Sequence, residues 1–121
     1  MEIHMITRSP YIFIASMDVD SEHEQLFNEV YDEEHVPSLS AVAGVLEVGR
    51  FARVDLTMAI GGKLVRVEGT QPKYHAVYGI ESPEILTSTA WSNAVEAGRW
   101  PRAVRPYTVN RQHFLIQRIE R

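Results

Sequence analysis

Apolar residues along the chain change repeatedly between the period of a strand and the period of a helix. Residues 10–17 are mostly β-branched and aromatic and lie between a proline and an acidic segment, which predicts a strand. The apolar positions of the next segment recur at helical spacing: Leu26, Phe27, Val30 and Tyr31. Asp20 or Ser21 can cap this helix. Pro37 predicts a break near His35, because proline disfavours helical geometry at the residue before it. Pro37 can then start a short second turn, which Gly44 would end.

An extended pattern follows the first helix. It runs over residues 45–60, and the Gly61-Gly62 pair between two apolar runs then predicts a β-hairpin arm over about residues 55–68. After a loop, residues 74–80 predict another strand. The hairpin is therefore an addition between two main strands of the predicted sheet.

A second helix and a last strand complete the predicted fold. Ser82 and Pro83 provide an N-cap with proline at the first helical position, and Gly98 marks the end of the helix. The last strand covers about residues 108–119. The order β-α-β-β-α-β predicts an α+β domain over residues 1–121, with a ferredoxin-like, four-stranded antiparallel sheet.

Both faces of the predicted sheet carry apolar side chains. The first strand sets Tyr11, Phe13, Ala15 and Met17 against Ile12 and Ile14, and the last strand sets Phe114 and Ile116 against Leu115 and Ile119. Two helices cover one face only, so the other face would expose a large apolar patch. We therefore predict a homodimer that packs sheet face against sheet face. The alternative is that a loop or the hairpin arm covers this face.

The composition excludes several classes of function but does not identify one. Of the 121 residues, 45% are apolar and 23% charged, and the net charge of -4 is spread along the chain without the basic stripe that nucleic-acid binding needs. The chain has no cysteine, which excludes disulfides and thiolate chemistry. No apolar run approaches the roughly 20 residues of a membrane span, so we expect a cytoplasmic protein with no membrane partner.

A set of short motifs around the first helix resembles a known family. The matching residues are Phe27-Asn28, Tyr31-Asp32, Glu34-His35-Val36-Pro37, Ala43-Gly44-Val45 and Arg50-Phe51. In this spacing they resemble the dimeric α+β barrel proteins and, within them, the EthD-like group. The resemblance implies a dimeric α+β barrel fold. Its superfamily is implied to include monooxygenases, haem-degrading enzymes, lyases, polyketide cyclases and proteins without known activity, so an oxidoreductase or a lyase/cyclase is the enzyme class it suggests.

The end of the first helix carries the candidate catalytic residues. The apolar face of this helix ends at Glu34, and His35 lies beside that face. A buried Glu34 carboxylate would need a cation as its partner, such as Arg50 or Arg53. We predict His35 as general acid or base, Glu34 as its orienting group, Tyr31 as a hydrogen-bond donor to a carbonyl, and Arg50 as the stabiliser of an enolate or carboxylate. The alternative is structural: Glu34 lies in water while His35 caps the helix.

Aromatic side chains are the candidate substrate-binding residues. Tyr78, Trp91, Tyr74 and Phe27 can line an apolar pocket for a small apolar or aromatic molecule. The alternative for each of them is core packing. We predict structural roles for His75 and His113, which face each other or the dimer interior.

No metal site and no cofactor are predicted. The five histidines contain no i, i+4 pair and no metalloprotease motif. Haem stays open, because a single histidine can serve as its axial ligand. The leading hypothesis is a cofactor-independent enzyme that performs proton transfer or oxygenation on an apolar carbonyl or aromatic compound. The alternatives are a non-catalytic ligand-binding or accessory dimer, and a haem-binding protein.

Overall fold

The structure is a computed structural model that describes residues 8–120. Its central element is a four-stranded antiparallel sheet. Its strands are β1 (Tyr11–Val19), β2 (Val45–Ala52), β5 (Tyr74–Ile80) and β6 (Thr108–Gln117). They lie in the order β2-β5-β1-β6, with all neighbours antiparallel. The predicted α+β class and ferredoxin-like strand order are confirmed.

The first helical stretch continues through the predicted break. It consists of α1 (Glu24–Val30), a π-helical turn (Tyr31–His35) and α2 (Val36–Ser40) without a break. The predicted break near His35 is wrong, because Val36 keeps helical angles (φ -62, ψ -48) and its N–H bonds to the carbonyl of Tyr31, five residues back. The wide turn lets the helix continue into Pro37, whose missing N–H falls in the first turn of α2.

The second helical stretch, in contrast, is interrupted. A 3-10 segment (Pro83–Thr87) precedes α3 (Thr89–Val95), and Ser88 between them is extended, with ψ 156. The predicted single helix is therefore wrong at Ser88. The reason is a competing cap: the Ser88 hydroxyl accepts the N–H of Trp91 at 3.1 Å. Gly98 has φ +69, as its predicted place at the helix end requires.

The segment between α3 and the last strand is helical. A π turn (Trp100–Val104) and a 3-10 turn (Arg105–Tyr107) lead directly into β6. All helical segments between residues 8 and 120 are short, the longest being α1 and α3 with seven residues each. None of them has the length and apolar character needed to cross a membrane. Such short helices gain most of their stability from packing on the sheet.

The predicted hairpin arm is confirmed, as a separate two-stranded sheet. Its strands are β3 (Leu56–Ile60) and β4 (Lys63–Val67), and Gly61 and Gly62 have φ +61 and +81 in the turn. Two positive φ values are typical of a type I′ turn, which matches the twist of a hairpin. Residues 53–55 separate the arm from β2, so the predicted extended run over 45–60 is two strands.

The two faces of the main sheet have different surroundings. The helices cover one face, where the largest buried side chains include Phe27, Leu39, Tyr78 and Ile80. The other face, here called the open face, carries Ile12, Ile14, Phe51, Val77, Phe114 and Ile116. Phe51 is 55% exposed, Phe114 50% and Ile116 47%. The predicted apolar character of both faces is confirmed, and neither a loop nor the arm shields the open face within residues 8–120.

Candidate functional site

A pocket of about 360 Å³ lies between the helices and the covered face of the sheet. Strands β1 and β5 provide Phe13, Met17 and Tyr78, while the helical segments provide Tyr31, His35, Leu39, Trp91 and Trp100. The polar side chains along its wall, besides His35, are His113, Arg105 and Arg111. A largely aromatic pocket with a few polar groups is the usual form of a small-molecule site.

His35 is the most enclosed polar group of the pocket. The π turn places it with only 5% of its surface exposed. Its ring stacks on Trp100, with centroids 4.2 Å apart and planes at 18°, and meets the edge of Tyr31 at 5.1 Å. Its Nδ1 atom is buried and has no hydrogen-bond partner among residues 8–120. Such an unsatisfied buried group is uncommon and indicates either strain or a missing ligand.

Burial sets the protonation state of this histidine. Burial is the main cause that lowers the pKa of His35 from 6.5 to about 4; the positive charge of Arg105 contributes to this shift, and Glu96 opposes it. His35 is therefore neutral at pH 7, with an unprotonated ring nitrogen. A neutral imidazole is the form that binds a metal ion.

His113 on β6 also lines the pocket, whereas only a structural role was predicted for it from the sequence. Its Nδ1 atom accepts the N–H of Ser16 at 3.2 Å, so the proton of the neutral ring lies on Nε2. Burial and Arg111 lower its pKa. The prediction that His75 and His113 face each other is wrong: His113 pairs with Ala15 on the covered face, whereas His75 bonds to the Ser16 hydroxyl at 2.6 Å on the open face. The alternation along β6 contained this information.

Tyr31, Tyr78 and Trp91 line the pocket together. Burial raises the pKa of Tyr31, and burial together with the neighbouring Tyr31 raises the pKa of Tyr78 well above its ordinary value. Both phenols are therefore protonated at neutral pH and can donate hydrogen bonds. Tyr78 stacks on Phe13 at 5.7 Å and meets Trp91 edge-on at 5.4 Å.

Glu34 lies outside the pocket. Its carboxylate accepts the backbone N–H of Arg99 at 2.8 Å and the side-chain Nε of Arg99 at 2.5 Å, which together lower the pKa of Glu34. The predicted partners Arg50 and Arg53 are wrong, and so is the alternative of an unpaired Glu34 in water. The approach depends on Gly98, where a Cβ atom would clash with the Glu34 carboxylate. Glu34 thus ties the first helical stretch to the turn after α3.

Arg50 is also engaged elsewhere. It donates to Asp32 at 2.8 Å and to Asn28 at 2.7 Å, and its guanidinium lies 4.5 Å from the ring centroid of Tyr31. It does not line the pocket. Of the four predicted catalytic residues, the structure brings only Tyr31 and His35 together there.

Two of the predicted substrate-binding residues are packing residues. Phe27 is fully buried against Tyr31 and Trp100, at centroid distances of 5.2 Å and 6.0 Å. Tyr74 bonds to Glu24 and accepts from Asn28. Neither of them lines the pocket, so the core-packing alternative describes both.

Comparison with known proteins identifies the fold. No family model matches the sequence, and no curated protein matches it. Two solved structures of MhuD are similar over 89% of this chain, each at 15% sequence identity. One is a mutant with two manganese protoporphyrin IX bound per active site (TM-score 0.57, 93% of that chain). The other is described as a heme-degrader from Mycobacterium tuberculosis with two hemes bound in its active site (TM-score 0.56, 94% of that chain).

The similarity supports the fold implied by the sequence resemblance. Over most of both chains the same arrangement of sheet and helices recurs, although few residues are identical. The finer resemblance to the EthD-like group is not confirmed, since no family model matches the sequence.

Proposed function

We propose that the chain binds haem in the pocket beside His35. The observation that carries this proposal is a neutral, buried imidazole, with an unsatisfied ring nitrogen, on the wall of an aromatic pocket. The two structurally similar proteins bind haem or a manganese porphyrin, which favours this ligand over other aromatic molecules.

The residues of the pocket fit a porphyrin in three respects. The lowered pKa of His35, about 4, keeps its ring deprotonated at neutral pH, so a metal would not compete with a proton for the ring nitrogen. The rings of Tyr78, Trp91 and Trp100 offer flat apolar surface. Arg105 and Arg111 offer cations for carboxylate groups, with which arginine forms strong charge-assisted hydrogen bonds.

The size and the side chains of the pocket indicate what one subunit would contribute to a haem site. The volume of about 360 Å³ is at the low end for ligand pockets, so we expect one subunit to enclose a porphyrin only in part. The iron of a bound haem would supply redox chemistry and a site for a small ligand. His35 would hold that iron, the aromatic walls would exclude water, and the Tyr31 and Tyr78 phenols would donate hydrogen bonds.

The acid–base enzyme predicted from the sequence has less support. A histidine with a pKa of about 4 is a weak base at neutral pH, where an effective catalytic group has a pKa near the working pH. Glu34 is bonded to Arg99, and Arg50 to Asp32. Only the shared position of Tyr31 and His35 favours this hypothesis, which stays a prediction.

A titration with haemin tests the haem proposal. We expect the purified protein to give a saturable, shifted Soret band. We expect His35→Ala to weaken binding on the order of tenfold to a hundredfold, because the residue that would hold the iron is lost. His23→Ala is the matched control, since His23 is bonded to Asp20 outside the pocket. His113→Ala separates the two histidines of the pocket.

Three outcomes would contradict the proposal. A wild-type protein without a Soret shift would exclude haem as the ligand. Unchanged binding in His35→Ala would exclude its axial role, and loss in His113→Ala alone would move that role to the strand. Equal loss in the His23→Ala control would indicate adventitious binding at the surface.

We also propose that the chain forms a homodimer through the open face. Phe51, Phe114 and Ile116 are about half exposed there, and apolar patches of this kind usually mark an interaction surface. Together with Ile12, Ile14 and Val77 these three side chains form an apolar cluster on a face that also carries Glu47, His75 and Gln112. Two copies of such a sheet can pack face to face and bury these clusters against each other.

A further inference from the structure

The hairpin arm has one apolar face and one mixed face. In its register Leu56 pairs with Val67 and Met58 with Val65, so these four apolar side chains lie on the same side as Ile60. The partner of Ile60, Lys63, ends this side at the turn. We call the five apolar residues the apolar arm face. The other side carries Thr57, Ala59, Leu64 and Arg66. Alternation of this kind is typical of a strand pair that buries one face.

Nothing in residues 8–120 covers the apolar arm face. The arm is its own two-stranded sheet, and the five side chains are between 36% and 51% exposed. An isolated two-stranded hairpin is marginally stable in water. A well-formed, apolar hairpin therefore needs a surface on which to pack.

The charges of the arm argue against a strongly charged partner. At its base Arg66 lies 3.2 Å from Glu68 and 3.6 Å from Asp55, so charges of both signs neutralise each other within the arm. A nucleic acid or an acidic membrane would require an excess of positive charge. The arm instead fits an apolar protein surface.

The size of the open face indicates which protein surface this is. Four strands about 4.8 Å apart and about seven residues long span roughly 19 Å by 23 Å, or on the order of 450 Å². A stable interface buries about 800 Å² per partner. As a projected area, the sheet alone reaches little more than half of this figure, so contact area from elsewhere on the chain would bring the interface closer to the usual size.

The position of the arm makes it the natural source of this area. It leaves the main sheet directly after β2, which is an edge strand. Phe51, near the end of β2, is 55% exposed on the open face. Val54, in the short connection between β2 and the arm, is 80% exposed, so exposed apolar side chains follow one another along the chain from the open face to the arm.

We propose that the apolar arm face packs against a second copy of this chain, so that each subunit clasps its partner beside the sheet interface. The inference rests on the proposed homodimer and adds to it a second contact region. It is independent of haem binding.

The cysteine-free sequence allows a direct test. Met58→Cys places a single thiol on the apolar arm face, and Leu64→Cys places one on the opposite face, at a residue that is 81% exposed. Sedimentation establishes the oligomeric state of each variant, and labelling with a thiol reagent follows accessibility. We expect the Met58→Cys thiol to react on the order of tenfold more slowly in the dimer, and to lose this protection on dilution to monomer. The Leu64→Cys thiol should react rapidly at every concentration.

The outcomes separate this inference from the dimer itself. A dimer in which both thiols react at the same rate would overturn the clasp and leave the sheet interface standing. A monomer at all concentrations would overturn both. Protection of the Met58→Cys thiol that does not change when the dimer dissociates would show that the arm packs on its own subunit, which also overturns the clasp.

Discussion

His35 is neutral because of residues that the chain brings to it from far away. Trp100 covers one face of the ring, and Arg105 adds a positive charge nearby. Both come from the segment after α3, about 65 positions later in the sequence. The sequence therefore predicted the position of His35 at the pocket, but not its protonation state, which depends on this tertiary contact.

This burial makes stability depend on pH. The unfolded chain binds a proton on His35 near pH 6.5 and the folded chain only near pH 4, so the stabilising contribution is complete above pH 6.5 and is lost as the pH falls toward 4. Between pH 7 and 4.5 we expect wild type to lose about 2–3 kcal/mol more unfolding free energy than His35→Phe. Urea unfolding at both pH values measures the difference. Parallel losses in the two proteins would mean that His35 titrates as an exposed group.

Glu34 shows the same limit of local reasoning. Its need for a partner followed from its place on an apolar helix face, but the partner is Arg99 rather than the nearer cation on β2. What made the contact possible is the missing side chain of Gly98, and the sequence marked that glycine only as a helix end.

At the level of elements, the π turn has the largest effect on the site. The turn over residues 31–35 is closed by a bond from the Val36 N–H to the carbonyl of Tyr31, five residues back, so it holds one residue more than an α-helical turn would. This extra residue sets the angular position of His35 relative to α1. Turns of this type recur at functional sites in other proteins.

Deleting one residue from this turn should abolish ligand binding without unfolding the protein. Removal of the exposed Glu33 restores α-helical spacing and rotates His35 by about 100° relative to α1. We expect retained helical content by circular dichroism and loss of the shifted Soret band with haemin. Glu33→Ala, which keeps the turn, should bind as wild type does. Normal haemin binding in the deletion variant would show that the register of the turn is unimportant.

Helix boundaries were the least predictable elements, for an identifiable reason. The local preferences of Pro37 and Ser88 both favour the end of a helix, but only Ser88 interrupts one. Pro37 is accommodated by the wide turn before it, whereas the hydroxyl of Ser88 captures a backbone N–H and ends one segment at the start of the next. Strands and the glycine turn of the arm were predictable, because alternation and positive φ leave few alternatives.

At the scale of the whole molecule, the pattern of apolar residues along the strands predicted the fold correctly. Apolar residues on both faces of β1 and β6 implied two covering layers, and the helices supply only one of them. The remaining face is the basis of the proposed homodimer.

Phe114→Glu should separate the subunits. Phe114 lies on the edge strand β6 and is half exposed on the open face, opposite Ile14. A carboxylate buried there would be desolvated. We expect the dissociation constant to rise at least about thirtyfold, the effect of losing a contact of about 2 kcal/mol. Sedimentation equilibrium measures it. Leu64→Glu, an equally apolar-to-acidic change on the mixed face of the arm, should leave the constant within about twofold. Equal effects of the two substitutions would contradict an interface on the open face.

The order of the main sheet leaves β2 and β6 at its margins, where each strand has a neighbour on one side only within residues 8–120. Backbone groups on such a margin can template the addition of further strands, and here they adjoin bare aromatic side chains. Separated subunits would therefore be prone to irreversible aggregation, so pairing would protect the chain's solubility as well as complete its shape. Static light scattering of the Phe114→Glu protein would reveal this as slow growth of large particles.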